Sequence, residues 1–268
     1  MPRRIVMLGT GHATVTKCYN TCFLIENEGD TLLVDAGGGN GILTQFERIG
    51  RSFSDVHDIF VTHAHTDHLL GVVWVIRKAL SLMLEGAYVG SLSIYCDKKS
   101  ARLLKMICHE TLFSGYMRLF EENVRFIETD GTSELCCAGM SIKVFDVHSD
   151  KLRQLGFRAV FDDGYTLVCT GDEPVNEFSA AYVRGCDMLM CEAYCLSADA
   201  ERFHPYRKRH STAADAADMA ERLGVKRLLL YHTEDSDLEN RGAKYSREAA
   251  RFFSGGITVP DDLDIIDF

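Results

Sequence analysis

Apolar and polar positions alternate with two periods along this chain, and the switches between them mark its elements. Short β-type runs at residues 4–8, 22–26 and 31–35, joined by turns containing Gly or Asp, predict three strands in an antiparallel start. A helical pattern at 41–49 leads to a strand at 58–61 and then to an apolar helix at 69–84. A strand at 92–96 and a helix at 98–112 follow. The second half opens with strands at 141–147, 157–161 and 165–169. It continues with a strand at 187–191, a helix at 211–223, a strand at 227–231, a helix at 244–253 and a last strand at 263–266. Two groups of strands, each accompanied by helices, predict an α/β fold: two mixed sheets packed together with helices on the outer faces. No Pro/Ser-rich linker divides the halves, so residues 1–268 are expected to form a single domain.

Composition narrows the class. The 268 residues are 46% hydrophobic and hold 22 Gly against only 4 Pro, which supplies a deep core and excludes a fibrous or largely disordered chain. Lys and Arg number 29 against 39 Asp and Glu, a formal charge of −10, which argues against broad nucleic-acid binding over the whole surface. Ten cysteines would suit a disulfide scaffold only in a short exported chain. The basic residues 1–9 carry too short an apolar run for a signal peptide. The 69–84 helix, interrupted by Arg77 and Lys78, falls short of the roughly 20 residues a bilayer needs. A cytoplasmic protein with reduced, buried cysteines and no membrane association is the expectation.

The sharpest chemical signal is Thr62-His63-Ala64-His65-Thr66-Asp67-His68, directly after the 58–61 strand. A strand end followed by a loop is where functional side chains sit on a rigid support. His63 and His65, two apart in an extended segment, project to one side and can grip one ion. Asp67 and His68, one turn onward, can reach a second. Imidazole with carboxylate suits zinc, and also manganese or iron.

His63-x-His65-x-Asp67-His68 resembles the signature of the metallo-β-lactamase superfamily, and the resemblance spans the chain from its first strand to His232. It implies an αβ/βα sandwich with further ligands at later strand ends. His148 in Phe145-Asp146-Val147-His148, Asp172 in Cys169-Thr170-Gly171-Asp172 and His232 in Leu230-Tyr231-His232-Thr233 stand in the family's order. Within the superfamily, Leu8-Gly9-Thr10-Gly11 followed by Asn20-Thr21 resembles the opening of the ribonuclease Z group. His210-Ser211-Thr212-Ala213-Ala214, followed by Ala216-Ala217, resembles its later histidine motif. The chain departs from that group in two places. Only 23 residues separate His148 from Asp172, where many bacterial ribonucleases Z carry a long tRNA-gripping arm, and a hairpin at 157–169 uses that space. Ala36-Gly37-Gly38-Gly39-Asn40 replaces the stretch typical of the group after its third strand. Without an arm and with a charge of −10, tRNA is not the expected substrate, because nucleic-acid affinity depends on neutralising phosphates.

The resemblance implies two divalent ions per chain. His63, His65 and His148 would hold one, Asp67, His68 and His232 the other, with Asp172 between them. Asp67 would also orient the attacking water. His210 lies where Ser211 or Thr212 can cap a helix, and it would stabilise a developing oxyanion or protonate the leaving group. Glu192, after the 187–191 strand, would orient His210. The one concentrated basic stretch, from Arg202 to Arg209, offers Arg207 and Arg209 as substrate-binding residues if it folds over the metals. The expected reaction is hydrolysis of a small cyclic or linear phosphodiester, or of a short RNA end. An acyl hydrolase acting on a lactone, thioester or β-lactam is the alternative, and a non-catalytic binding or redox protein is the third. His12 stands in a loop that faces either the site or solvent. The 69–84 helix, with Trp74, carries more apolar surface than one packed face needs. With the resemblance to ribonucleases Z, which pair through a nearby region, it leads to the expectation of a homodimer, although a fully buried helix reads the same way.

Overall fold

The structure is a computed structural model that describes residues 3–268. Its first half begins as an antiparallel meander, β1 (Arg4–Gly9), β2 (Cys22–Asn27) and β3 (Asp30–Val34). The chain passes through α1 (Gly41–Arg48) into β4 (Asp58–Phe60), which runs parallel to β3. Helix α2 (Thr66–Leu84), β5 (Leu92–Cys96), α3 (Lys98–Thr111), α4 (Met117–Asn123) and β6 (Val124–Glu128) extend the parallel part. The second half repeats the plan. An antiparallel run, β7 (Glu134–Cys137), β8 (Met140–Asp146), β9 (Leu155–Val160) and β10 (Thr166–Cys169), comes first. Then α5 (Ala180–Val183), β11 (Met188–Glu192), α6 (Ala200–Phe203), α7 (Ala213–Arg222), β12 (Arg227–Tyr231), α8 (Leu238–Ala249) and β13 (Gly256–Thr258) build the parallel part. The last strand, β14 (Ile265–Asp267), returns to pair with β1. Two seven-stranded sheets result, ordered β14-β1-β2-β3-β4-β5-β6 and β13-β12-β11-β10-β9-β8-β7.

Both faces of the central strands are covered, which is why they read as nearly unbroken apolar runs. Along β1, Ile5 and Met7 enter the core between the sheets while Val6 and Leu8 face the helices. Phe23 and Phe60 from one sheet meet Phe157 and Tyr231 from the other, with Phe60 and Phe157 rings 5.1 Å apart edge to face. Helices α1 to α4 cover the outside of the first sheet, and α7 and α8 that of the second. This is the αβ/βα sandwich expected from the pattern. Eight of the cysteines are buried within it, and none of the ten is paired in a disulfide.

The structure differs from the sequence pattern where apolar content is thin. Strands β6, β7 and β13 were not foreseen; β7 is a four-residue strand of Glu-Leu-Cys-Cys, and β13 is the three-residue edge Gly-Ile-Thr. Helix α8 starts six residues before the expected 244, because one of its buried positions is Arg241. That guanidinium donates to Thr233 Oγ1, the Pro260 carbonyl and Asp261. Helix α2 starts at Thr66, three residues before its apolar run, since ligand-type side chains occupy its first turn. One face of α2 is core, while Trp74 on the other is 37% exposed. No described helix is long and apolar enough to cross a membrane.

Candidate metal centre

The centre lies beyond the strand ends. Asp35 follows β3, Thr62 to His65 follow β4, Asp172 follows β10 and His232 follows β12. Asp35 and His232 adopt left-handed backbone, with φ of 54° and 58°, a conformation rare outside glycine that turns each side chain off its strand's direction. The first turn of α2 is set down on the loop after β3. Ala36 N–H donates to the His68 carbonyl at 3.1 Å, and Gly71 N–H donates to the Gly37 carbonyl at 2.8 Å. A Cβ on Gly71 would overlap the Ala36 carbonyl, so only glycine permits this approach. Asp67 and His68 are thereby fixed over the sheet.

Each of three buried histidines has its Nδ1 engaged by the protein. Asp35 accepts from His68 Nδ1 at 2.7 Å, and also from the Thr62 N–H and hydroxyl at 2.8 and 2.7 Å. With its proton given to Asp35, the Thr62 hydroxyl accepts from His63 Nδ1 at 2.9 Å. The Thr21 hydroxyl donates to the Gly11 carbonyl and accepts from His232 Nδ1 at 3.0 Å. All three rings therefore turn Nε2 inward, where it stands 3.7 Å (His63), 4.0 Å (His68) and 3.7 Å (His232) from Asp172 Oδ2. His65 Nδ1 lies 2.8 Å from His63 Nε2, and Asp67 Oδ2 lies 3.4 Å from His68 Nε2.

The electrostatics follow from burial and proximity. Burial alone would raise the Asp172 carboxyl, but His63, His232 and His68 outweigh it and hold it well below the usual carboxylate range. Burial pushes the His63 and His232 imidazoles well below theirs, against the pull of Asp172, so both rings are neutral near pH 7. His68 goes the other way: Asp67 and Asp35 overcome its burial and raise it. Asp67 is lowered, its burial overcome by His68 and His232.

Two atoms of this cluster, His68 Nε2 and Asp172 Oδ1, are buried without a hydrogen-bond partner. Buried polar atoms left unpaired are costly, and a cation between them satisfies both. His63, His65 and Asp172 bring ligand atoms within 4.8 Å of one another, as do Asp67, His68 and His232. The neutral imidazoles of His63 and His232 with the ionised carboxylates of Asp172 and Asp67 suit a divalent cation, and zinc in particular. The residues present fit a metal.

The structure does not bring His148 into this group. Its N–H donates to Asp146 Oδ1 at 2.8 Å, a turn that puts His148 in left-handed backbone (φ 55°). The ring is exposed and packs 4.2 Å from the Phe178 ring instead. His210, expected to stand apart from the metals, comes within ligand range of Asp172 and His232. Its Nδ1 lies 3.4 Å from Glu192 Oε2, and neither of these two buried atoms has a hydrogen-bond partner. Glu192 is fully buried, and its Oε1 accepts from the Ser211 N–H and hydroxyl at 2.7 and 2.6 Å. Thr212 is the N-cap of α7, in a capping box with Asp215.

The basic stretch folds otherwise than expected. Arg209 points to Asp150 at 2.9 Å, and neither it nor Arg207 lines the pocket above the centre. Lys208 and Lys151 line it, with His12, Tyr194 and His210. Asp35, Thr21 and Tyr194 were assigned no role from the sequence, whereas Lys208 belongs to the basic stretch expected over the metals, although Arg207 and Arg209 were singled out from it. Asp35 left a faint signal, an acid ending the run Leu32-Leu33-Val34 and so placed at a strand end like the ligands.

Comparison with known proteins bears on the family and the fold. The model of the family described as Anti-Pycsar protein Apyc1 matches residues 3–152. A ribonuclease Z of Natronomonas pharaonis is 25% identical, the match covering 100% of this chain and 98% of that protein. The metallo-β-lactamase fold protein YhfI from Bacillus subtilis superposes with a TM-score of 0.80 at 16% identity, each chain covered completely. A structure described as a diphosphatase from the PhnP family superposes with a TM-score of 0.73 at 18% identity, over 100% of this chain and 98% of that one. The fold is the metallo-β-lactamase fold, and the likeness to ribonuclease Z runs the length of the chain. The interval between β8 and β10 holds β9 and two short connections, with no arm.

Proposed function

Because the chain belongs to the family described as Anti-Pycsar protein Apyc1 and has the metallo-β-lactamase fold, we propose that it is a metal-dependent phosphodiesterase. Its substrate is a small cyclic or linear diester, or a short RNA end. The observation that carries this reading is the convergence of three Nε2 atoms on Asp172, each ring oriented by its own partner, under an open pocket of about 500 Å³. Two ions per chain fit the two ligand groups, with zinc favoured and manganese or iron compatible. His63 and His65 serve one group, Asp67, His68 and His232 the other, and Asp172 lies between them. His148 would join only if the turn at Asp146 opened. Bound divalent cations supply Lewis acidity, which makes water a nucleophile near neutral pH and offsets charge on the phosphoryl oxygens.

The chain's own residues do the rest. Asp67, held ionised, accepts a hydrogen bond from the attacking water and orients it. His210 keeps Nδ1 toward Glu192 and presents Nε2 to the leaving oxygen, to which it gives a proton. The neighbouring ring of Tyr194 lies 5.0 Å from His210 and limits its rotation. We also propose a homodimer through the outer face of α2, where Trp74 and Leu43 with Arg77 and Lys78 line a shallow groove. Light scattering should give twice the 30.0 kDa of one chain; a mass of 30.0 kDa at micromolar concentration contradicts it. For the activity, metal-loaded protein should be assayed on bis-p-nitrophenyl phosphate beside a lactone and a thioester. Turnover of the diester above both acyl substrates is expected, and inactivity towards every diester removes the reading.

A further inference from the structure

One cation in the pocket lacks a counter-charge. The residues from Arg202 to Arg209 supply most of the local positive charge, yet only Lys208 among them lines the pocket. The cause is backbone. Left-handed His204 (φ 51°) and Arg209 (φ 60°) bracket the single 3₁₀ turn Pro205–Lys208 and give its members different directions. Arg209 leaves to pair with Asp150, while Lys208 Nζ donates to the Tyr194 hydroxyl at 2.7 Å and lies 4.5 Å from the centre of its ring. Lys151 also lines the pocket, but Glu173 sits 3.0 Å from its Nζ. Among the described residues, no carboxylate stands within ion-pair distance of Lys208.

The support under Lys208 is rigid. Tyr194 is buried, and its ring lies between His12 at 4.5 Å and His210 at 5.0 Å. His12 accepts the Thr14 N–H on Nδ1 and is neutral near pH 7, its pKa lowered to about 4 by burial and then by Lys208 itself. One stack of rings thus fixes both the ammonium and His210. An ammonium has three N–H donors, and Tyr194 engages one. The others are left for the pocket, in a protein whose net charge of −10 otherwise repels anions.

We propose that Lys208, positioned by Tyr194, is the residue that selects a monoanionic phosphodiester over uncharged esters at this centre. The inference rests on the phosphodiesterase reading and narrows it to the substrate's charge. A diester carries its negative charge in the ground state and in the transition state alike. Lys208 binds both, so its loss raises KM more than it lowers kcat. A neutral triester or a lactone gives the ammonium no charge to hold.

The test compares bis-p-nitrophenyl phosphate with its uncharged methyl triester on metal-loaded protein. Lys208→Met keeps the length of the side chain and removes the charge. It should raise KM for the diester roughly 10- to 100-fold, the worth of one charge-assisted hydrogen bond. kcat should stay within a few-fold, and kcat/KM for the triester should not change. Lys208→Arg should recover most of the lost affinity. Tyr194→Phe, which keeps the ring stack, should raise the diester KM by a smaller factor with kcat held. A diester KM within two-fold of wild type in Lys208→Met, or equal losses on diester and triester, overturns the proposal while leaving the diesterase intact. Wild-type protein inert towards the diester removes the underlying reading, and the role of Lys208 with it.

Discussion

Asp35 governs the centre from outside it. By accepting from His68 and from Thr62, which in turn accepts from His63, one carboxylate orients two rings of the candidate metal centre. Asp35→Asn keeps the shape but offers an amide where the His68 ring and the Thr62 hydroxyl need an acceptor, and it should lower metal affinity about 10- to 100-fold, as removal of such partners does elsewhere. Titration of the stripped protein with zinc in a competing chelator measures it; an unchanged affinity contradicts this role of Asp35. His210 separates two roles. With Nδ1 facing Glu192, His210→Ala should leave metal content intact and slow diester hydrolysis by roughly 10²–10⁴, the usual worth of an acid or oxyanion-stabilising group. Loss of an ion in that variant would make His210 a ligand instead. The spacing of His63, His65, Asp67 and His68 was legible because side chains after a strand must fall together over a few residues. The placement of His148 and Lys208 was not. Both depend on left-handed residues, at His148 itself and at His204 and Arg209, and a sequence shows charge density without showing direction.

At the scale of elements, the strands were readable where both faces are buried and the helices where one face is apolar. β7 and β13 escaped because three or four residues at a sheet edge carry no period, and the first turns of α8 because Arg241 is buried through hydrogen bonds rather than by apolarity. The start of α2 escaped for a chemical reason: its first turn carries ligand-type side chains, so polarity there belongs to the candidate site and not the core. That turn depends on Gly71. Gly71→Ala would improve intrinsic helix propensity by about 1 kcal/mol, yet the new Cβ meets the Ala36 carbonyl, and overpacking of this kind typically costs 1–3 kcal/mol. The variant should therefore be less stable in urea and bind metal more weakly, because Asp67 and His68 ride on the displaced turn. A variant as stable as wild type, with unchanged metal affinity, would show that α2 can move away without disturbing the centre.

In the whole molecule, both sheets end at one site. The first delivers Asp35, His63, His65, Asp67 and His68; the second delivers Asp172, Glu192 and His232, with His210 beside them. Neither half holds the complete set of proposed ligands, so the proposed chemistry requires the closed sandwich. The core between the sheets, with Phe60 against Phe157, sets the separation of the two ligand groups. The central claim is that this junction hydrolyses a phosphodiester through metal held by residues of both sheets. Its most direct test strips the protein with chelator, restores zinc or manganese stepwise, and measures bound metal and bis-p-nitrophenyl phosphate hydrolysis on the same samples. The account predicts no turnover in the stripped protein and activity that rises with occupancy until two ions per chain are bound. Turnover that survives complete stripping, or none at full occupancy, would contradict it.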